Sequence, residues 1–192
     1  MRCDWAETSD EMREYHDTEW GTPQKNDLIL FEYILLDSFQ AGLSWATILH
    51  KRKSFQKAFS NFDPKRIAKY GTKEITALVN NKDIVRHKGK IEATIGNAKI
   101  FLAIQKEYGS FSSYLWRWVS GTPVQSKWRK QEEVPTNTKL SDAISKDLKA
   151  RGFRFFGSTI CYAFLQGSGV VNDHVTTCFR YASLPQKGIA KI

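Results

Sequence analysis

Apolar side chains recur along most of this chain at the three- and four-residue spacing of an α-helix, and alternating apolar and polar stretches are scarce. The pattern predicts an all-α fold. Its densest stretch, Leu28 to about Phe39, puts Leu28, Ile29, Leu30, Phe31, Tyr33, Ile34, Leu35 and Leu36 on nearly every face, so this helix should be central and buried. Asp27 is its expected N-cap, and Gly42 its stop in a left-handed conformation. Ser44 then caps a helix from Trp45 to about Phe59, which leaves through the basic run His50-Lys51-Arg52-Lys53. Asp63-Pro64 opens a short helix, with proline at a first-turn position.

Thr72 to Asn80 and Lys90 to Glu107 read as two further helices. Ser120 to Leu140 is polar, holds Pro123 and Pro135, and reads as the longest irregular segment. Ser141 is the expected cap of a helix to about Ala150, and another runs from Ser158 or Thr159 to Gln166. Between them lies Arg151-Gly152-Phe153-Arg154-Phe155-Phe156-Gly157. Two glycines five apart, with Ser158 and Thr159 at the next helix start, make a turn whose backbone N–H groups can hold a phosphate without reading sequence. An ordinary helix connection, in which Gly152 is a C-cap and the phenylalanines pack, explains the same residues. The tail after Leu184 reads as frayed. No repeat is visible, and chemistry shared by the two ends makes residues 1–192 read as one domain.

The 192 residues, 41% hydrophobic and 26% charged, suit one domain or two small lobes around a shared core and exclude a disordered chain. Leu28 to Leu49 is interrupted by Glu32, Asp37, Ser38, Gln40 and Ser44, so no membrane-spanning helix is expected, nor does the polar start resemble a secretory signal. A net charge of +9, a pI of about 9.5 and 13% aromatic residues fit nucleic acid as a partner. They fit a merely soluble basic enzyme equally well. Three cysteines, Cys3, Cys161 and Cys178, are too few and too odd in number for a disulfide framework, so a reducing cytoplasm is expected.

Two clusters carry chemistry. His174 and Cys178 are four apart, which on a helix puts both on one face, and Cys3 and His16 sit near the other end. Two thiolates and two imidazoles suit a closed tetrahedral structural Zn²⁺ site, although isolated cysteines are often simply buried. Cys161, in an apolar segment, reads as core. The second cluster centres on Asp37, the only charge from Tyr33 to Leu49, placed near a helix C-terminus where negative charge is unfavourable. Either it hydrogen-bonds nearby backbone or it faces a pocket. Tyr15, Trp20, Phe39 and Trp45 lie close in sequence, and a carboxylate with stacking rings can hold a flat, electron-poor heterocycle.

Five motifs then occur in order: Tyr15-His16-Asp17-x-Glu19-Trp20-Gly21, Phe39-Gln40-Ala41-Gly42-Leu43-Ser44-Trp45, Ile84-Val85-Arg86-His87-x-Gly89-Lys90-Ile91, Arg151-Gly152-Phe153-x-Phe155 and Val171-Asn172-Asp173-His174-Val175. From Cys3 to Cys178 the chain resembles the 3-methyladenine DNA glycosylase I family. The resemblance implies a two-lobed, all-α helix-hairpin-helix glycosylase with its DNA-binding hairpin at Arg151 to Gly157. It also implies one structural zinc on Cys3, His16, His174 and Cys178, joining the terminal segments. The implied activity is hydrolysis of the N-glycosidic bond of N3-alkylated adenine in double-stranded DNA, by a monomer acting in base-excision repair.

The family's base pocket holds a Glu, two Tyr and a Trp. Tyr15 and Trp45 match one Tyr and the Trp, Asp37 stands where the Glu is expected, and Met12 stands where the other Tyr is common. Asp retracts the carboxyl by about 1.5 Å, enough to break a direct hydrogen bond without a shift or a water. Met12 fills space but cannot stack as Tyr does. Retained activity with altered affinity or range is the expected outcome. Asp37 is the expected catalytic carboxylate, with Asp173 the second candidate. A zinc-stabilised protein that binds damaged DNA without cleaving it is the competing reading.

Overall fold

The computed structural model describes residues 1–40 and 42–184, so the tail beyond Leu184 lies outside the described residues. Eleven α-helices and two two-residue strands occur among them. The first is α1, Asp10–Thr18, capped by Ser9, whose hydroxyl accepts the Met12 N–H. A single 3₁₀ turn, Asp4–Thr8, precedes it.

The central helix is α2, Asp27–Gln40, and every residue from Leu30 to Phe39 except Glu32 is buried. Each large apolar side chain taken from water contributes about 1.5–3 kcal/mol, which makes this helix the main anchor of the core. Its cap differs from expectation. Asn26 Oδ1 accepts the Leu28 N–H at 2.9 Å and so takes the capping role. Asp27 instead accepts the N–H groups of Phe111 and Ser112, each at 2.8 Å, and the Gln105 side-chain amide. Its carboxylate thereby meets the first two amides of a distant helix, α8, Phe111–Trp116, whose free N–H groups favour negative charge.

Gly42 is left-handed as expected, with φ of 86°. The following segment splits into α3, Trp45–His50, and α4, Arg52–Ala58, rather than running unbroken to Phe59. The break falls at Lys51, whose ψ of 0° turns α4 so that Phe55 and Phe59 reach Phe39 in the core. Then come α5, Pro64–Ile67, α6, Thr72–Asn80, and the longest helix, α7, Lys88–Tyr108.

The segment expected to be irregular holds a short parallel pairing of β1, Val124–Gln125, with β2, Val171–Asn172, and a 3₁₀ turn at Gln131–Glu133. It ends early, because Thr138 and not Ser141 caps α9, Lys139–Ala150. Ser141 is the third helical residue and returns the bond, accepting the Thr138 N–H at 2.9 Å. Its buried hydroxyl also meets Ser158 at 2.8 Å, joining α9 to α10, Ser158–Gly167. Helix α10 packs on α9 and α2, and α11, Phe179–Ser183, ends the described chain.

Both ends meet against α10. Gly21 N–H donates to the Gln166 carbonyl at 3.1 Å, and Gln24 N–H to that of Ser168 at 2.9 Å. The contact needs glycine at 169: a Cβ there would lie 2.4 Å from the Thr22 carbonyl carbon, at a φ of +68°.

Candidate base pocket, metal centre and hairpin

Where α1, α2, α3 and α10 converge, a cavity of about 230 Å³ is lined by Trp5, Met12, Tyr15, Trp20, Asp37, Gln40, Trp45, Gln131, Ala163 and Gln166. The expected residues Met12, Tyr15, Trp20, Asp37 and Trp45 are therefore brought together. Phe39 is not among them; its ring packs 4.9 Å from Phe55, because it leaves α2 on the face opposite the cavity-lining side of Gln40 and Asp37. Trp5, Gln40, Gln131, Ala163 and Gln166 line the cavity as well, and none of these side chains was singled out from the sequence.

Asp37 is 5% exposed, and no donor among the described residues reaches its carboxyl. Burial alone pushes its pKa well above the ordinary carboxylate range. Of its two sequence-level explanations, the backbone hydrogen bond is therefore excluded among the described residues, and the pocket-facing one stands. The Tyr15 hydroxyl is pushed up too, first by burial and then by Asp37. Tyr15 and Trp45 stand 5.3 Å apart, ring to ring.

Glu19 and Arg52 form a buttress that sequence reading missed. Arg52 Nη1 donates to both Glu19 oxygens at 2.8 Å and its Nε to Glu32 at 2.6 Å, tying α4 to α2 and to the end of α1. The Tyr33 hydroxyl donates to Glu19 at 3.3 Å.

Asp173 is 1% exposed and does not line the cavity. It accepts from Trp128 Nε1 at 2.9 Å, Gln166 Nε2 at 2.7 Å and the Tyr162 hydroxyl. Its oxygens are thus engaged inside the fold.

Beside the cavity, Cys3, His16, His174 and Cys178 converge, all buried, with one ligand atom of each within 4.8 Å of the others. His174 and Cys178 do not share a helix face as the spacing suggested. They flank a tight turn in which the Cys178 N–H donates to Val175 at 2.8 Å, and α11 begins only after Cys178. Cys178 Sγ lies 3.4 Å from His16 Nε2 and 3.5 Å from His174 Nδ1, and Cys3 Sγ 3.7 Å from His174 Nδ1. A tetrahedral ion bonded to sulfur at about 2.3 Å and nitrogen at about 2.0–2.1 Å spaces such pairs by about 3.6 Å, so the donor set fits a metal ion. The outer nitrogens are engaged as well: His16 Nδ1 with Asp17 at 2.8 Å and His174 Nε2 with the Trp20 carbonyl at 3.2 Å. Cys161 is buried in the core, its thiol pushed up by burial.

In the hairpin between α9 and α10, Gly152 has φ of +105° and its N–H donates to Lys149 at 2.9 Å, a helix stop that any side chain would strain. Phe153 and Phe156 are buried, whereas Phe155 is 38% exposed with φ of +54°. Asn97 on α7 clamps the tip, accepting the Arg154 N–H at 2.9 Å and donating to its carbonyl at 3.0 Å. Gly157, Ser158 and Thr159 open α10, where the first-turn amides have no acceptor within the helix. Arg151 turns away from them: its guanidinium donates to Asp147 at 2.8 Å, Glu107 at 2.6 Å and the Tyr108 hydroxyl at 3.1 Å. The exposed cations here are Lys146, Lys149 and Arg154.

A mostly helical chain thus carries an aromatic cavity over a buried carboxyl, beside a Cys/His cluster. The methyladenine glycosylase family model matches residues 5–181, and the chain belongs to that family. It is 45% identical to the DNA-3-methyladenine glycosylase of Haemophilus influenzae over 177 residues, 92% of this chain and 96% of that protein. It is 43% identical to DNA-3-methyladenine glycosylase 1 of Escherichia coli over 180 residues, 94% of this chain and 96% of that protein. A crystal structure of a 3-methyladenine DNA glycosylase I superposes with a TM-score of 0.90 at 45% identity, covering 93% of this chain and 98% of that one. The Staphylococcus aureus 3-methyladenine DNA glycosylase I, described for its recognition of 3-methyladenine, gives 0.91 at 34% identity, covering 97% and 98%.

Proposed function

We infer that this protein is a DNA-3-methyladenine glycosylase, an N-glycosyl hydrolase that removes N3-alkylated adenine from alkylation-damaged DNA. The observation that carries this reading is Asp37, a buried carboxyl with no hydrogen-bond partner among the described residues, facing an aromatic cavity in a chain of this family.

Alkylation at N3 places a positive charge on the base and weakens the bond to C1′. The C1′–N9 bond breaks, the base leaves as a neutral molecule with the bonding electrons, and water adds to C1′ and gives up a proton to solvent. Because the leaving group is already good, the protein's work is extrusion, selection and orientation. Tyr15 and Trp45 stack the flipped base, and Met12 fills the wall beside them. Asp37, whose burial makes its charge costly in the empty cavity, faces the arriving cation and accepts from its amino edge. Ordinary adenine brings no such charge and gains nothing from it.

The substrate is double-stranded DNA, bound by a monomeric, single-domain, two-lobed helix-hairpin-helix fold. Phosphates rest on the amides of Gly157, Ser158 and Thr159 where α10 opens, with Gly152 shaping the turn, Arg154 supplying charge and Arg151 bracing the hairpin from behind. One Zn²⁺ held by Cys3, His16, His174 and Cys178 joins the two ends of the chain in a structural role. No helix among the described residues is long and apolar enough to cross a membrane. A reducing cytoplasm, where DNA and unoxidised thiols coexist, suits the whole.

The test is incubation with methylated duplex DNA and chromatography of the released bases. Release of free 3-methyladenine is expected. Binding of damaged duplex with no release above background would overturn the enzyme reading and leave a non-catalytic binder of damaged DNA.

A further inference from the structure

Gln166 enters the cavity from α10, on the wall facing the α2 residues Asp37 and Gln40. Its backbone is held, since the Gln166 carbonyl accepts the N–H groups of Gly21 and Gly169, each at 3.1 Å. Its side-chain orientation is fixed by chemistry. Asp173 lies 2.7 Å from one end of the amide, and the short Tyr162 contact and the Trp128 indole N–H, both donated to the same carboxyl, hold it as an acceptor. A carboxylate that accepts from three sides must face the amide nitrogen, so the amide oxygen is the end left over. Oε1 accepts from no donor among the described residues.

We propose that Gln166, locked by Asp173, is a specificity-determining residue that presents a fixed acceptor to position 6 of the flipped purine. An N3-alkylated adenine carries an amino group there, which donates to Oε1. An N3-alkylated guanine carries a carbonyl oxygen, which meets Oε1 acceptor to acceptor. The amide cannot turn to offer its N–H₂ instead without breaking its bond to Asp173. Asp173 is a positioning residue in this scheme and touches no base.

This inference rests on the glycosylase reading. The experiment measures release of 3-methyladenine and 3-methylguanine from the same methylated duplex DNA by the parent, Gln166→Met and Gln166→Glu, with thermal unfolding as a check on folding. Methionine keeps the length of the side chain and removes its polar atoms. The adenine-to-guanine ratio of release rates is expected to fall about tenfold, as loss of one hydrogen bond and one repulsion requires. Glutamate keeps an acceptor of the same reach but has no N–H for Asp173, so the ratio falls with it as well. A parental ratio in Gln166→Met would overturn the specificity role, and a parental ratio in Gln166→Glu would overturn the lock by Asp173. A parent that releases neither base fails at the glycosylase reading itself. Quenching of cavity tryptophan fluorescence by the two free bases gives the same comparison without turnover, and a variant that binds them in the parental ratio would again overturn the proposal.

Discussion

Asp17 accepts the Nδ1–H of His16 at 2.8 Å, and the same carboxylate is gripped by Arg2 Nε and Nη2 at 3.0 and 2.9 Å. His16 Nε2 lies 3.4 Å from Cys178 Sγ, so a proton kept on Nδ1 by Asp17 turns Nε2 to a metal as a ligand. Asp17→Asn should therefore weaken zinc retention about 10–100-fold, measured by competition with a chelator. Unchanged retention would remove Asp17 from this role.

Elemental analysis should give about one zinc per chain, falling sharply in Cys178→Ala. Chelation should lower the melting temperature, because the site joins the segments of Cys3 and Cys178, which also meet through the Phe179 N–H to the Met1 carbonyl at 3.0 Å.

Asp37→Asn should reduce 3-methyladenine release about 100-fold, the scale for losing one charge-stabilising group in an active site. The same change should stabilise the fold at neutral pH. An unfolded carboxyl titrates near 4, and burial raises the folded value. Between the two, the folded state holds a proton that unfolding releases, so stability falls as pH rises through that window and levels off above the raised value. Urea unfolding of parent and variant across that pH range checks this: the variant should lack that part of the slope, and parallel curves would refute it.

Arg154→Ala should weaken DNA binding and lower the salt slope of log K by about one, as for one phosphate contact. Arg151→Ala should leave that slope unchanged and lower the melting temperature, since its guanidinium is spent on Asp147, Glu107 and Tyr108. Titrations over a range of salt concentrations separate the two.

Much of this was legible before any coordinates. The buried α2, the left-handed Gly42 and the Thr72–Asn80 helix follow from local periodicity and turn chemistry, which act over a few residues. Asp37 could be singled out because a lone charge in an apolar run is anomalous wherever the chain goes. The Cys/His group that could hold a metal ion could be named from its residue types. Its geometry could not, since a turn between β2 and α11, and no helix, brings His174 and Cys178 together.

Other choices belong to the tertiary structure because they are made between segments distant in the chain. Asp27 and Asn26 are equally good caps in isolation; only the approach of Phe111 and Ser112 assigns Asp27 to α8. Arg151 carries a charge that suits phosphate, and the nearby Glu107 on α7 claims it. Gln166 has no sequence signal at all, because a glutamine becomes directional only when a buried carboxylate such as Asp173 holds one end of its amide. Residue type and local spacing determined the helices, the ligand set and the anomalous carboxyl. Which polar groups remain open to a substrate was decided by packing, because a buried donor or acceptor is spent on whichever partner the fold brings within about 3 Å.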